Sequence, residues 1–129
     1  MLKNTTTIIL VQDQPDYTGI IQRPILNVIA IKFELITMVN ITTTDLFIYL
    51  TSDVAEGCLR DSWIVDKHEP ITWIQQWPLP TFGNQIKSTM LTYQNPRSVG
   101  AIRIHLKSQN VITFLPGFRA VWKVTLIQK

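Results

Sequence analysis

In its longest regular runs this chain places apolar side chains at every second position, and nowhere do ten or more residues carry them at helical spacing. A period of two sends alternate side chains to opposite faces of a strand, so such runs bury one face of a sheet. In Ala101–Ser108, Ile102, Ile104 and Leu106 alternate with Arg103, His105 and Lys107. In Phe118–Gln128, Phe118, Ala120, Trp122, Val124 and Leu126 share one face, with Arg119, Lys123 and Thr125 opposite. Leu26–Thr37 alternates in the same way, whereas Asp45–Ser52 is apolar on both faces and reads as a strand covered on both sides. Further strand-like runs are Thr5–Val11, Trp63–Asp66, Ile71–Trp77, Gln85–Tyr93 and Val111–Leu115. Turn chemistry separates them at Gln14-Pro15-Asp16, Pro78-Leu79-Pro80, Phe82-Gly83-Asn84, Asn95-Pro96-Arg97 and Pro116-Gly117, and Gln109-Asn110 reads as a tight hairpin. Eight or nine short strands with frequent turns predict an all-β fold, an antiparallel β-sandwich or a barrel.

The 129 residues suit a single domain spanning 1–129. At this size a chain buries roughly two-thirds of its unfolded surface and needs neither disulfide nor metal to fold. Charged residues are only 16% of the chain, against about 25% in ordinary soluble domains. A sandwich that hides outer surface in an assembly has this composition, as does a small, well-buried monomer. Cys58 is the only cysteine, and Asp53, Glu56 and Asp61 outweigh Arg60 near it, so an inert thiol is expected. The apolar run Ile8–Val11 is too short for a signal segment or a membrane span, which predicts synthesis in a cytoplasm and no membrane insertion.

Charge is distributed unevenly. From Pro70 onward there is no Asp or Glu, while Lys87, Arg97, Arg103, Lys107, Arg119, Lys123 and Lys129 are all basic. If the strands carrying Arg103, Lys107, Arg119 and Lys123 share a sheet, their polar faces form one basic surface, suited to nucleic acid or an acidic partner. The alternative is an ordinary solvated sheet face.

Catalytic constellations are missing from the pattern. His105 sits in the outward row of an alternating strand and His68 in the turn Asp66-Lys67-His68-Glu69-Pro70, without the clustered ligands of a zinc or iron site. The acids of the loop region (Asp53, Glu56, Asp61, Asp66 and Glu69) match no dense oxygen-ligand motif for calcium, and a solvated loop is the simpler reading. There is no glycine-rich phosphate loop, and no serine sits in a nucleophile elbow. The expectation is a non-enzyme without metal or cofactor. The aromatics carry more information: Trp63, Trp73 and Trp77, followed by Phe82, fall in a segment with few charges and form a candidate interface, with core packing as the alternative for each ring.

The succession Ile8-Ile9-Leu10-Val11, then Ile25-Leu26-Asn27-Val28-Ile29-Ala30-Ile31-Lys32-Phe33-Glu34-Leu35-Ile36, then Leu46-Phe47-Ile48-Tyr49-Leu50-Thr51-Ser52-Asp53 resembles the first strands of small single jelly-roll virion structural proteins. Ser98 to Lys107, a tight turn, Val111–Leu115 and Trp122–Ile127 resemble their closing strands, while Glu56 to Asn84 matches nothing in them. The resemblance implies a jelly roll of about eight strands and a minor capsid, penton-like or spike-base role in a virion. Such a protein acts by self-assembly and protein-protein contacts with copies of itself or other capsid proteins, and the family has no active-site residues to transfer. Other readings are a carbohydrate- or receptor-binding sandwich using Trp63, Trp73, Trp77 and Tyr93, and a small nucleic-acid-binding barrel. The last lacks an outward aromatic interleaved with Arg103, His105 and Lys107.

Overall fold

The computed structural model describes residues 4–60, 63–76, 82–88 and 90–129, with side chains described at all of these except 63, 76 and 82–88. The fold is all-β. Its strands are β1 (Asn4–Gln12), β2 (Asp16–Thr43), β3 (Phe47–Ser52), β4 (Cys58–Arg60), β5 (Trp63–Ile64), β6 (Thr72–Gln76), β7 (Phe82–Ser88), β8 (Leu91–Lys107) and β9 (Ile112–Gln128). The only helical element among the described residues is a short 3-10 turn, Asp53–Ala55, capped by the Ser52 hydroxyl. All ladders are antiparallel and join into one curled sheet in the order β1-β9-β2-β8-β3-β6-β7. β4 pairs with β5 and with β8 off this path, and β7 returns close to β2 without forming a ladder to it.

The long strands bend where the sequence supplies residues that break a ladder. β2 runs for 28 residues. Its first stretch pairs Asp16 to Ile20 with His105 to Ala101 of β8, and its last pairs Ala30 to Thr43 with Ile127 to Ile112 of β9. The register shifts between Ile20 and Ala30, around Pro24, which has no N–H to donate, and Asn27, whose φ is +56°. The bend is tied down from the other end of the chain: Gln128 Nε2 donates to the Leu26 carbonyl (3.0 Å) and the Lys129 N–H to that of Asn27 (3.0 Å).

Three expected turns fall inside strands, Phe82-Gly83-Asn84 among them within β7, and Pro78-Leu79-Pro80 lies outside the described residues. Asn95-Pro96-Arg97 lies within β8 and Pro116-Gly117 within β9. At Pro116-Gly117, Gly117 has φ +81° and accepts a hydrogen bond from Asn40 Nδ2 at 3.1 Å, Asn40 itself having φ +60°. Gln109-Asn110 turns the chain but makes no hairpin, because β8 pairs with β2, β3 and β4 while β9 pairs with β1 and β2. That turn is held instead by Asp45, whose carboxylate accepts from the Asn110 backbone N–H (2.8 Å) and side-chain amide (2.6 Å).

One apolar cluster fills the curl. Trp122, Ile31, Ile48, Leu50, Ile74, Ile102, Ile104 and Leu126 are all fully buried, from strands at both ends of the sheet order. Gln12 is buried among them with its polar atoms satisfied: Oε1 accepts from Trp122 Nε1 (2.9 Å), and Nε2 donates to the carbonyls of Gln14 (2.9 Å) and Pro15 (3.0 Å). Arg60 is buried too, its guanidinium donating to the carbonyls of Pro70 (2.7 Å) and Ile71 (2.9 Å).

Candidate functional site

Alternation assigns the faces of β8, β3 and β6. Ile102, Ile104, Leu106, Ile48, Leu50 and Ile74 are buried, so Arg103, His105, Lys107, Phe47, Tyr49, Trp73 and Gln75 project from the other side. The register sets them side by side: His105 opposite Thr51, Lys107 opposite Tyr49, Tyr49 opposite Trp73 and Phe47 opposite Gln75. Asp45–Ser52 is therefore not covered on both faces, since Phe47 is exposed and Tyr49 and Trp73 are half-buried. Their rings meet at 5.0 Å between centroids with planes at 53°. Cross-strand pairing has supplied the aromatic neighbour that the basic strand lacks within its own sequence.

Two hollows open on this face, with Lys107 of one directly opposite Tyr49 of the other. The first, about 160 Å³, has Thr51 on its wall and is ringed by Asp53, Lys67, His68, Arg103, His105 and Lys107. Lys67 and His68 reach it from a self-braced turn in which the His68 N–H donates to the Asp66 carboxylate (2.8 Å) and the Asp66 N–H to that of Glu69 (3.0 Å). Arg103 is already engaged: its guanidinium pairs with Asp16, and its backbone N–H donates to Asp53 Oδ1 at 2.9 Å. The hydrogen bond from Arg103 holds the Asp16 carboxyl below the usual carboxylate range, and the same bond raises Arg103. Burial lowers His105 below the ordinary imidazole value, with Lys107 and Arg103 pushing the same way against Asp16. The second hollow, about 510 Å³, is lined by Phe47, Tyr49 and Trp73 with Asp45, Pro70 and Gln109.

The other candidates fall elsewhere. Trp77 lies outside the described residues; Trp63 and Phe82 are placed only by backbone, in β5 and β7. Tyr93 is no exposed platform: it is buried, its hydroxyl donates to the Val54 carbonyl (2.7 Å), and Arg97 sits 4.9 Å from its ring centroid. Arg119 and Lys123 are exposed on β9, opposite Val39 and Glu34 of β2, whereas Arg103 lies opposite Thr18. The register thus sets Arg103 against a different stretch of β2 from Arg119 and Lys123, and Lys107 against β3, so no shared ladder joins the two basic pairs. Cys58 is buried against the Val54 carbonyl, and burial pushes its thiol up to about 11.

Among the described residues no three side chains able to bind a metal converge, and no helix is long and apolar enough to cross a membrane. Lys67, His68, Tyr49 and His105 were not singled out from sequence as site residues. The outward row Arg103, His105 and Lys107 was the one available signal. Comparison with known protein families, curated proteins and solved structures finds no match for this chain.

Proposed function

We propose that this protein is a virion structural subunit (a minor capsid, penton-like or spike-base component) with a jelly-roll β-sandwich that acts by self-assembly. The order of the ladders supports the sandwich. Leaving aside β4, β5 and β7, eight strand stretches fall into two sets, β1 with β9, the second part of β2 and the start of β8, and then the first part of β2 with the end of β8, β3 and β6. Numbered one to eight along the chain, the sets run 1-8-3-6 and 2-7-4-5, the order of a jelly roll's interlocked Greek keys. Packing between the sets supports it too: a Cβ on Gly19 of β2 would meet Leu10 of β1 at 2.5 Å, although those strands share no ladder. Jelly rolls serve in viral capsids and in lectins, so assembly needs its own support.

That support is the edge strand β1. It carries no charged residue from Asn4 to Gln12, its only ladder among the described residues is to β9, and Ile9 and Val11 are 52% and 42% exposed. Beside it on the outer face, Val11 lies opposite Val121, and Ile36 and Val39 are also exposed. Monomeric proteins blunt such edges with lysine, proline or bulges, and this one has none of them. Light scattering behind size-exclusion chromatography should show oligomers whose population rises with concentration, and Ile9→Lys with Val11→Lys should shift them to monomer. A parent chain that stays strictly monomeric at high concentration refutes self-assembly.

A further inference from the structure

The two hollows on the outward face of β8, β3 and β6 play no part in edge-to-edge assembly. We propose that together they form a binding site for an acidic saccharide, its anionic group among Lys67, His68, Arg103 and Lys107, and a sugar ring against Tyr49 and Trp73. Neither Lys67 nor Lys107 has a carboxylate within ion-pair distance among the described residues. The two nearby acids are engaged, Asp16 by the Arg103 guanidinium and Asp53 by the Arg103 backbone N–H. Arg103 is matched by Asp16 and Asp53 lines the same hollow, so the positive charge an entering anion would meet is that of Lys67 and Lys107. Guanidinium and ammonium donors then give the stronger, charge-assisted hydrogen bonds.

Register sets the scale of the ligand. Lys107 pairs directly with Tyr49, and Tyr49 with Trp73. Directly opposed residues have Cα atoms about 4.5–5.5 Å apart. Charged and ring subsites one strand apart match a carboxylated or sulfated sugar of one or two residues. Gln109 at the rim of the ring hollow offers a side-chain amide for sugar hydroxyls. Single-stranded nucleic acid fits less well. It needs successive stacking platforms, and this face offers one ring pair, Tyr49 with Trp73. An acidic peptide would have no strand edge to join, because β8 and β3 are paired on both sides.

The test is titration of the intact chain with sialyllactose, lactose, a sulfated disaccharide and a thymidine oligonucleotide, followed by calorimetry and amide chemical shifts. Sialyllactose or the sulfated sugar should bind at least about tenfold more tightly than lactose, with shifts centred on Arg103 to Lys107 and Tyr49. The two acidic sugars distinguish carboxylate from sulfate as the anion. Lys67→Ala with Lys107→Ala, both on the surface, should reduce that preference to near unity. Tyr49→Leu should weaken every sugar, and Arg119→Ala with Lys123→Ala should change nothing. Lactose binding as tightly as the acidic sugars, no saturable binding of either acidic sugar, or stronger, steeply salt-dependent binding of the oligonucleotide would each overturn the proposal. Oligomeric state does not enter these readouts, so this proposal and the assembly reading can fail separately.

Discussion

Replacing Gln12 by leucine tests whether one amide holds the β1–β2 corner against the core. Gln12 is fully buried, accepts from the Trp122 indole and donates to the carbonyls of Gln14 and Pro15. Leucine is close in volume, so the change removes hydrogen bonds without opening a large cavity. It leaves the indole N–H and the Gln14 carbonyl without these partners, whereas Pro15 keeps the Leu106 N–H at 3.1 Å. The orphaned indole N–H costs about 1–3 kcal/mol and the lost bond to the Gln14 carbonyl about 1 more, leucine's added apolar burial returns part of that, and a net loss of about 2 kcal/mol follows. Unfolding entropy near 60 °C is about 2.1 cal/mol/K per residue, or about 0.27 kcal/mol/K for 129 residues, so the melting temperature should fall by about 7 °C. Trp122→Phe in the same background removes the orphaned donor, so the double variant should lose less than the sum of the single losses. Differential scanning calorimetry of the four proteins reads both quantities. A Gln12→Leu variant melting within about 2 °C of the parent, or strict additivity across the cycle, refutes the reasoning.

Arg60→Met should lower the urea midpoint with an unchanged slope, a loss of about 2–4 kcal/mol, because the carbonyls of Pro70 and Ile71 lose a buried donor. Arg60→Lys should restore less than half, since an ammonium lacks the planar fork; parent-like stability of the Met variant would exclude this role. Cys58 should resist a thiol reagent at pH 8 in the native protein and react at once in denaturant; equal rates would contradict its burial. Its folded value, about 11, lies above the ordinary 9.0, so its contribution to stability is complete below pH 9 and is lost as pH rises toward 11. Tyr93, also raised by burial, acts in the same direction, and Cys58→Ala should flatten part of the alkaline decline in urea midpoint. Gly117→Ala should destabilise by about 1–2 kcal/mol in thermal melts, since its φ is +81° and the new methyl would lie 2.9 Å from Asn40 Nδ2. Unchanged melting would show that the bend in β9 can relax.

The strands legible in the sequence are those that bury one face. Ile102, Ile104 and Leu106, and Ala120, Trp122, Val124 and Leu126, are buried as their alternation requires. Asp16–Ile25 went unread because Gly19, Ile20, Ile21 and Pro24 break the pattern where β2 turns a corner. Pro96 and Pro116-Gly117 carry the chemistry of turns, yet bends within long strands demand the same missing donor and the same positive φ. Local sequence cannot distinguish a turn from a bend, because the difference lies in which distant strand is paired. The candidate site was hidden for that reason. Arg103, His105 and Lys107 were visible as a row, but Tyr49 joins them only through the register of β3, and Lys67 and His68 only through a folded turn.

The pairing of β1 with β9 also bears on when the proposed assembly could begin. Gln12 pairs with Ala120 and Asn4 with Gln128, so β1 finds its ladder only after roughly a hundred further residues have been made. At about 5–20 residues per second, translation leaves this segment without its native partner for about 5–20 s. During that interval the uncharged Asn4–Gln12 segment is an exposed aggregation hazard on the ribosome. The ordered edge that neighbouring subunits would read exists only once β9 has emerged and docked. Tying β1 to β9 in this way would make a finished fold the condition for the proposed assembly.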